Sequence, residues 1–326
     1  MKSFSIAIRT LGRAGMKYQK LLDSIANSKL KPEKVVVVLP HGYELPKERL
    51  GWEEFVYCEK SMIKQRIEAL KYITSEYILF LDDDISFDED FIEKLITPLE
   101  NNLFDCSTGP LFSFFPASIL GTIAGTLTAS VSLSLFNRDM YVKILRSGGW
   151  SYHTFDTSVR RYYPTESFAW TCFMIKTHVM KAIKMEDEII WLEKYGYAAG
   201  DDRVMAYKLV KKGYSACIVS DAIYEHNDAK TSTSKEEMAD TKPVFCMAYM
   251  HRIFWQRFIQ DMEDNNILKV INSICLLYWK YMMYLYRAVK ALKADNKVYA
   301  TAFKRGIAEA EDYIASKEYI NLPQVK

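Results

Sequence analysis

Short apolar runs alternate with segments of helical periodicity in the N-terminal part of this chain. The apolar runs, each typical of a strand buried in a parallel sheet, are residues 3–9, 34–39 and 77–81. The helical segments are residues 16–26, 61–73 and 91–99. Ser61 is a candidate N-cap of the second helix. This βα alternation predicts a Rossmann-like, doubly wound α/β fold with a mostly parallel sheet.

The same pattern returns after a long interruption. The later strand candidates are residues 168–176, 215–220 and 222–226, and the later helix candidates are residues 177–184 and 201–212. From Pro243 onward the sequence is helical throughout. We therefore expect a catalytic domain at residues 1–230 with an apolar and aromatic insertion at 106–165, followed by a helical region at 231–326.

The insertion begins with a long stretch that carries no charge. Residues 106–137 contain no Asp, Glu, Lys, Arg or His, and the length is comparable with that of a membrane span. However, the stretch is rich in Gly, Ser and Thr, and it is interrupted by Pro110 and Pro116. This composition favours a buried or interfacial hairpin over a transmembrane helix, and both structures stay open at this point.

The C-terminal helical region is basic and aromatic. Residues 267–293 contain no acid, and many Tyr, Leu and Met side chains lie between their cations. The cations are Lys269, Lys280, Arg287, Lys290 and Lys293. Such a composition predicts C-terminal helices that associate with an anionic membrane surface. The alternative is a helix packed on the catalytic domain with a solvated basic face.

Overall charge and cysteine content restrict the partners and the location. The formal net charge is only +2, which gives no reason to expect a nucleic-acid partner. The six cysteines form no CxxC pair, as is typical of a reduced intracellular protein. The apolar stretch at residues 4–8 is too short for a signal peptide and is followed by Arg9. We expect a cytoplasmic protein, peripheral on the inner face of the cell membrane.

The acidic triplet Asp82-Asp83-Asp84 directly follows the apolar run YILFL. Ligands of open α/β sheets bind at the carboxyl ends of the strands, where this triplet is expected to lie. In an extended chain the side chains of Asp82 and Asp84 project to one side, and that of Asp83 projects to the other. Two such carboxylates suit a hard divalent cation that also binds phosphates. A solvated acidic turn is the alternative.

Three further segments carry candidate chemistry. Asp201 and Asp202 open a helix, where they either cap its free amides or leave a carboxylate to act as a general base. His226 ends a strand, either as a structural residue or as a nitrogen ligand. Thr10 and Arg13 lie in a Gly-containing turn that leads into a helix and can approach a phosphate.

The order of these segments is more specific than any one of them. A strand that ends in Thr-x-x-Arg is followed by the pair Gln65-Arg66, then by YILFLDDD, WTCFMIK, GDD and a strand that ends in His. This order resembles family 2 of the inverting glycosyltransferases with the GT-A fold, of the bacterial cell-surface polysaccharide type. In that family, segments such as SVVIPTYNR, ARN, YILFLDADD, GED and GY…H follow one another. The resemblance covers about residues 3–227 without the insertion.

The resemblance implies a role for each matching residue on the donor side. Thr10 and Arg13 lie by the nucleotide, and Arg66 contacts the nucleotide or its diphosphate. Asp82 matches the first acid of the DxD motif, near the ribose and metal, and Asp83 is grouped with it as a nucleotide-sugar-binding residue. Asp84 and His226 are the implied metal ligands, for Mn²⁺ or Mg²⁺.

On the acceptor side, the resemblance implies that Asp202 is the catalytic base and that Asp201 occupies the Glu position of the ED motif. Trp170, Thr171 and Cys172 fall where the family shapes the acceptor pocket. The chain also departs from the family pattern at three positions. The second strand ends in Leu39-Pro40-His41-Gly42, where the family usually has acids, Ile67 replaces an Asn, and Asp201 replaces a Glu.

The activity implied is an inverting transfer of a sugar from a nucleotide-diphosphate sugar, with a UDP-sugar expected. The membrane features favour a lipid-linked saccharide as the acceptor, as in assembly of lipopolysaccharide, O-antigen or capsule. One alternative is a nucleotidyltransferase that makes an activated sugar, since TLGRAG faintly resembles a Gly-rich phosphate loop. The other is a non-catalytic membrane-bound scaffold with the same fold.

Overall fold

The structure is a computed structural model that describes residues 3–134, 138–198, 200–227, 241–292 and 297–325. Asn137, Lys293 and the predicted domain boundary at 230–231 lie outside the described residues. The chain divides into two compact units, which are described one at a time. The first comprises Met1–Leu111, Phe155–Glu186 and Gly213–Ser234, and the second comprises Phe112–Thr154, Asp187–Lys212 and Lys235–Lys326.

Strands and helices alternate in the first unit, and helices dominate the second. The strands are β1 (Phe4–Arg9), β2 (Lys34–Pro40), β3 (Glu54–Cys58), β4 (Tyr77–Asp82), β5 (Ile85–Phe87), β6 (Cys106–Thr108), β7 (Val131–Leu133), β8 (Val142–Ile144), β9 (Trp150–Tyr152), β10 (Tyr162–Pro164), β11 (Cys172–Lys176), β12 (Ala216–Val219) and β13 (Tyr224–His226). The α-helices are α1 (Met16–Asn27), α2 (Lys64–Ala69), α3 (Phe91–Glu100), α4 (Ile119–Leu127), α5 (Thr177–Ala182), α6 (Ile189–Leu192), α7 (Asp201–Lys211), α8 (Lys242–Trp255), α9 (Asn266–Lys290), α10 (Lys297–Ile314) and α11 (Lys317–Ile320).

An eight-stranded sheet forms the first unit, in the order β10-β12-β6-β11-β4-β1-β2-β3. Parallel pairs join β1 to β2 and β4, β2 to β3, and β6 to β12. β11 runs antiparallel to both of its neighbours, and β10 is an antiparallel edge strand. The predicted α/β fold with a mostly parallel sheet is confirmed.

The central strands are buried on both faces, which explains their continuous apolar runs. Every residue of β4 is buried, and its neighbour β1 is buried from Phe4 to Ile8. On one face, α1 contributes Tyr18, Leu21, Leu22 and Ile25 to the core. Each fully buried side chain of this size contributes about 1.5–3 kcal/mol. Because β1 and β4 are parallel neighbours in this sheet, their carboxyl ends lie side by side.

Several local elements of the first unit differ from the sequence prediction, among them β3, the short strands β5, β6 and β10, and the helix α2. β3 was not predicted, and its exposed edge explains why: Tyr57 is exposed between the buried Val56 and Cys58. The helix expected over residues 61–73 is regular only from Lys64 to Ala69. The N-cap position of α2 is Ile63 rather than the predicted Ser61, although the Ser61 Oγ accepts the backbone N–H of Lys64 at 2.8 Å.

The described part of the uncharged stretch, residues 106–134, begins with the buried strand β6 of the first unit and continues into the second unit. It contains the short helix α4, in which no residue is buried, and the strand β7, which pairs with β9. Among the described residues, no helix is long and apolar enough to cross a membrane. Of the two forms expected, a buried hairpin is wrong for α4, because its Leu and Ile side chains are exposed, and an interfacial hairpin stays a prediction.

The C-terminal part is helical, as predicted, from α8 to α11. Gly306 lets α10 approach α8 closely, since a Cβ at this position would lie 2.3 Å from the carbonyl oxygen of Phe245. A buried ion cluster joins α7 to the π-helical turn Gln256–Gln260. In it, Glu188 contacts both Lys208 and Arg257.

Candidate active site

Asp82 is the last residue of β4 and lies beside Arg9, the last residue of β1. The Arg9 guanidinium donates to both carboxylate oxygens, with Nε–Oδ1 at 2.5 Å and NH2–Oδ2 at 2.7 Å. Arg66 of α2 donates to Oδ1 at 3.1 Å. Two cations therefore compensate one buried carboxylate and fix its orientation.

Asp83 is held by a different partner. Its Oδ2 accepts the hydroxyl of Thr10 at 2.6 Å. Burial, together with the neighbouring Asp84 and Asp82 charges, raises the pKa of this carboxyl to about 6 against the lowering effect of the Thr10 hydrogen bond. Asp83 is thus tied to the turn after β1.

Asp84 lies in the turn between β4 and β5, where it faces His226. β5 pairs with β13, and this pairing places His226 opposite Ile85. The His226 Nε2 lies 3.4 Å from Asp84 Oδ1. Asn227 fixes the turn, since its backbone N–H and its side-chain amide both donate to the Asp84 carbonyl oxygen, at 2.8 and 3.1 Å. The pairing of two short strands therefore brings a carboxylate and an imidazole together.

The extended conformation expected across the triplet is wrong beyond Asp82. Asp83 and Asp84 form a turn rather than a continuation of β4, because β5 begins at Ile85 and pairs with a different strand. As a result, the three carboxylates contact three different sets of partners. Asp82 contacts β1 and α2, Asp83 contacts the turn after β1, and Asp84 contacts β13, so the three carboxylates do not form one row of ligands.

The turn after β1 places Thr10 and Arg13. Gly12 adopts a positive φ of 71°, and a Cβ there would lie 2.2 Å from the carbonyl oxygen of Glu44. Its backbone N–H donates to the Thr10 hydroxyl oxygen at 2.9 Å. Arg13 is exposed, with its guanidinium 4.9 Å from the ring centre of Tyr43. Only glycine fits this turn, which orients Thr10 toward the triplet.

The segment Trp170-Thr171-Cys172 supports the same residues through its backbone. The Trp170 carbonyl oxygen accepts a hydrogen bond from Arg66 at 2.7 Å, and that of Thr171 accepts the backbone N–H of Asp82 at 2.8 Å. The side chains of Trp170 and Cys172 are fully buried. Their assignment to the acceptor side stays a prediction, and in this conformation they act as support rather than as a pocket surface.

Asp201 and Asp202 belong to the second unit, where they form the first turn of α7. Asp201 is buried and Asp202 is half-buried. Gly200 precedes them in the left-handed conformation, with φ 80° and ψ 20°. The positive end of a helix dipole stabilises an ionised carboxylate at such a position.

Two residues of the first unit that contact the triplet were missed in the sequence. Arg9 ends β1 at the same offset at which Asp82 ends β4, so the register of two parallel strands could have identified it. Asn227 follows His226 and also donates to Ser86 Oγ at 3.1 Å. No sequence pattern marks Asn227, because its role depends on the pairing of β5 with β13.

Residues 58–180 match the model of Glycosyl transferase family 2. This segment includes Arg66, the acidic triplet and residues 170–172, and it excludes Thr10, Asp202 and His226. No curated protein sequence matches the chain.

Two solved structures are similar in shape. One is TarS residues 1–349 from S. aureus, at 14% identity and a TM-score of 0.48, covering 96% of this chain and 83% of the other. The second is the mannosyltransferase PcManGT from Pyrobaculum calidifontis in complex with GDP-Man and Mn²⁺, at 15% identity and a TM-score of 0.46, covering 97% and 88%. Because both TM-scores are below 0.5, neither likeness supports a conclusion about what this chain binds.

The family match includes β4, its acidic triplet and β11, which together form the centre of the sheet and the candidate site. The sheet has the α/β architecture of the GT-A fold. Residues 58–180 thus belong to a glycosyl transferase family 2 domain, and the chain is a glycosyltransferase.

Proposed function

We propose that this enzyme transfers a sugar, with inversion, from a nucleotide-diphosphate sugar to a hydroxyl of a lipid-linked saccharide. A UDP-sugar is the proposed donor. The proposed setting is the assembly of lipopolysaccharide, O-antigen or capsule. The protein would act at the inner face of the cell membrane as a peripheral enzyme. Residues 1–230 would form the catalytic domain, and residues 231–326 would form the helical region.

The observation that carries this proposal is the pair formed by Asp84 and His226 at 3.4 Å, next to the carboxyl end of β4. Ligands of α/β sheets bind at this edge. The turn with Thr10 and Arg13 follows β1, the neighbouring strand. The arrangement supports a nucleotide on the β1 side and its diphosphate near Asp84, with Arg66 and Asp82 between them.

A divalent cation, Mn²⁺ or Mg²⁺, fits these residues. The Asp84 carboxylate offers an oxygen donor that suits either ion, with diphosphate and water as further oxygen ligands, and His226 would add a nitrogen donor. Among the described residues, no group of three His, Cys, Asp or Glu side chains is placed to hold a metal by itself. When bound, such an ion would supply positive charge to the departing nucleoside diphosphate.

Asp202 is the proposed general base. It would accept the proton of the acceptor hydroxyl as that oxygen attacks the anomeric carbon, and a single displacement inverts the configuration there. Its position in the first turn of α7 supports an ionised carboxylate able to take a proton. General-base catalysis typically contributes about 10²–10⁴-fold in rate. Asp201 and residues 170–172 are proposed to act on the acceptor side.

The membrane location is supported by the uncharged residues 106–137 and by the acid-free helix α9. Both features suit an enzyme whose acceptor is anchored in lipid, since the reacting sugar then lies close to the headgroups.

A screen of nucleotide sugars tests the proposal. Thermal shift with Mn²⁺ or Mg²⁺ should identify a donor that stabilises the protein, and this donor should then release a nucleoside diphosphate during transfer to a saccharide acceptor. Release of pyrophosphate would instead identify a nucleotidyltransferase. Failure to bind any donor or metal would support the non-catalytic scaffold and overturn the proposal.

A further inference from the structure

Residues 145–149 of the second unit connect β8 to β9, and we call them the β8–β9 turn. Helix α8 of the same unit binds this turn through two side chains. The Arg146 carbonyl oxygen accepts a hydrogen bond from the Trp255 Nε1 at 2.8 Å. The Ser147 carbonyl oxygen accepts one from the His251 Nε2 at 2.9 Å. The β8–β9 turn is therefore fixed on α8.

The next carbonyl oxygen of the β8–β9 turn, that of Gly148, is bound by Arg203 of α7. Arg203 NH1 donates to it at 2.8 Å and lies 3.4 Å from the His251 Nδ1. Burial and the Arg203 charge hold the pKa of His251 well below its usual value, so Nδ1 is unprotonated and accepts from Arg203. The guanidinium also lies 4.5 Å from the ring centre of Phe254. Arg203 thus joins the first turn of α7 to a turn that α8 already fixes.

The first turn of α7 needs such a constraint. Its N-cap residue is Gly200, which has no side chain to bind the free backbone amides at the helix end. Arg203 folds back toward this residue, because a Cβ at Gly200 would lie 3.8 Å from Arg203 NH2. The guanidinium therefore lies beside the segment that leads into Asp201 and Asp202.

A purely structural role does not explain an arginine at position 203. Within the part of the chain that the structure describes, no carboxylate forms an ion pair with Arg203, and its buried Nε has no hydrogen-bond partner. Burial lowers the pKa of Arg203 to about 10, so the fold bears an electrostatic cost for this charge. Arg66 and Arg257, which are also buried, each contact a carboxylate. A buried charge without such compensation is typical of a functional position.

We propose that Arg203 is a positioning residue for the proposed base, Asp202. By binding the β8–β9 turn, Arg203 keeps the first turn of α7 in one conformation and thereby fixes the position of the Asp202 carboxylate. Proton transfer needs such precision, because a displacement of about 1 Å can lower a rate about a hundredfold. The inference rests on the proposed role of Asp202 and adds the residue that holds it in place.

Hydrogen–deuterium exchange of the full chain tests this anchoring without any substrate. The amides of residues 204–207 close the first turn of α7, beginning with the bond from Val204 to the Gly200 carbonyl oxygen at 3.2 Å. Arg203→Met removes the bonds to the β8–β9 turn, so these amides should exchange about tenfold faster or more. Arg203→Lys keeps the charge and a donor, and its exchange should be intermediate.

Lys211→Met is the matched control, because it removes a cation from the other end of the same helix. The Lys211 ammonium lies 4.9 Å from the ring centre of Tyr207, a contact similar to that of Arg203 with Phe254. Lys211→Met should leave both kcat and the exchange of residues 204–207 at wild-type values.

Kinetics shows whether Arg203 acts through Asp202. With the UDP-sugar selected by thermal shift, Arg203→Met should lower kcat about a hundredfold and leave the donor KM unchanged, and Arg203→Lys should restore part of the rate. In the Asp202→Asn background, Arg203→Met should cause no further loss, because a displaced base and a missing base are equivalent. A role in stability alone would lower the melting temperature and leave kcat unchanged well below it.

Gly148→Ala changes the other side of the contact and leaves the sequence of α7 intact. Gly148 has a φ of 83°, and a Cβ there would lie 2.9 Å from the His251 Nε2, so the β8–β9 turn has to shift. This variant should repeat the faster exchange of residues 204–207 and the lower kcat. Together with Arg203→Lys, it carries the test if Arg203→Met does not fold.

The inference is overturned if the folded variants of Arg203 and Gly148 keep wild-type exchange and kcat. It is also overturned if Arg203→Met lowers kcat by the same factor with and without Asp202, or if Lys211→Met lowers kcat equally. Failure of the proposed function gives a different result, since Asp202→Asn alone would then transfer sugar at the wild-type rate.

Discussion

The guanidinium of Arg9 donates two hydrogen bonds, of 2.5 and 2.7 Å, to the carboxylate of Asp82 across the parallel pair β1 and β4. Arg66 adds a third bond, at 3.1 Å, to one of the same oxygens. Asp82 is therefore compensated by two cations before any ligand arrives, whereas Asp84 faces the imidazole of His226. This difference agrees with the separate roles that the family resemblance implies for the two acids.

Replacement of Arg9 by Lys should reduce kcat/KM for the donor by about ten- to a hundredfold, because an ammonium cannot reproduce the planar two-bond contact. The loss should come mainly from a higher donor KM if Asp82 faces the nucleotide sugar. Steady-state kinetics of nucleoside diphosphate release measures both constants.

Arg160→Lys is the matched control for Arg9. Arg160 also contacts an Asp carboxylate through both oxygens, that of Asp221, but on the surface of the first unit. It should keep wild-type kinetics. Equal losses in both variants would mean that Arg9 stabilises the fold without positioning Asp82.

Periodicity predicted most of the first unit because its central strands are buried on both faces. β1, β2 and β4 begin and end within one residue of the predicted bounds, since a continuous apolar run has no other stable place in an α/β protein. β3 was missed because an edge strand alternates exposed and buried residues over only five positions. Whether such a segment forms a strand depends on its pairing with a neighbouring strand in the folded protein more than on its local sequence pattern.

The candidate site was predictable by residue type but not by geometry. The order of motifs predicted Asp82, Asp84 and His226 as site residues. The structure places them near one another at the carboxyl end of β4, and their roles stay predictions. The turn at Asp83 and the contact of Arg9 with Asp82 were not predicted. Both depend on the pairing of strands that are distant in the sequence, and of the two only Arg9 could have been identified, from the register of β1 and β4. The roles of Asp201 and Asp202 stay predictions, since these residues lie in the other unit.

Substitution of either proposed metal ligand should weaken the response to Mn²⁺. Asp84→Asn and His226→Gln each remove one of the two protein donors, so the Mn²⁺ concentration that gives half-maximal transfer should rise about tenfold or more. Titration of transfer rate with Mn²⁺ at saturating donor measures this shift.

Glu225→Gln controls for a general change of charge near the site. Glu225 is the neighbour of His226 in β13, and its side chain is exposed. The metal response of this variant should match that of the wild type. An unchanged half-maximal concentration in both Asp84→Asn and His226→Gln would contradict the proposed metal site.

Loss of the proposed base should remove chemistry without removing donor binding. Asp202→Asn keeps the size of the side chain but cannot accept the acceptor proton, so kcat should fall about 10²–10⁴-fold. The donor should still raise the melting temperature as it does in the wild type.

Asp90→Asn is the control, because Asp90 is also an acid at a helix N-terminus, that of α3. This variant should leave kcat unchanged. Wild-type transfer by Asp202→Asn would rule out the assigned role.

Glu188 is the centre of the buried ion cluster in the second unit. It is fully buried, and its carboxylate accepts hydrogen bonds from Arg257 at 2.7 and 2.8 Å and from the Trp191 Nε1 at 2.8 Å. The Lys208 Nζ lies 2.8 Å from the same carboxylate. Burial alone would raise the pKa of Glu188, but the Arg257 hydrogen bonds and the Lys208 charge outweigh it and hold the pKa below the ordinary value of 4.5.

Glu188→Gln should therefore destabilise the protein by about 3–5 kcal/mol near neutral pH, because it leaves two buried cations without their carboxylate. The effect should depend on pH with a definite sign. Since the folded-state pKa is lowered, the ionised carboxylate stabilises the fold fully above the ordinary pKa, and this stabilisation is lost as the pH falls through the folded-state value. Urea unfolding at several pH values should show the wild type losing stability below about pH 4.5 and the variant losing less.

Glu318→Gln, at an exposed position of α11, should follow the wild type throughout. An equal loss in Glu188→Gln and wild type on acidification would show that Glu188 does not set the acid sensitivity of the second unit.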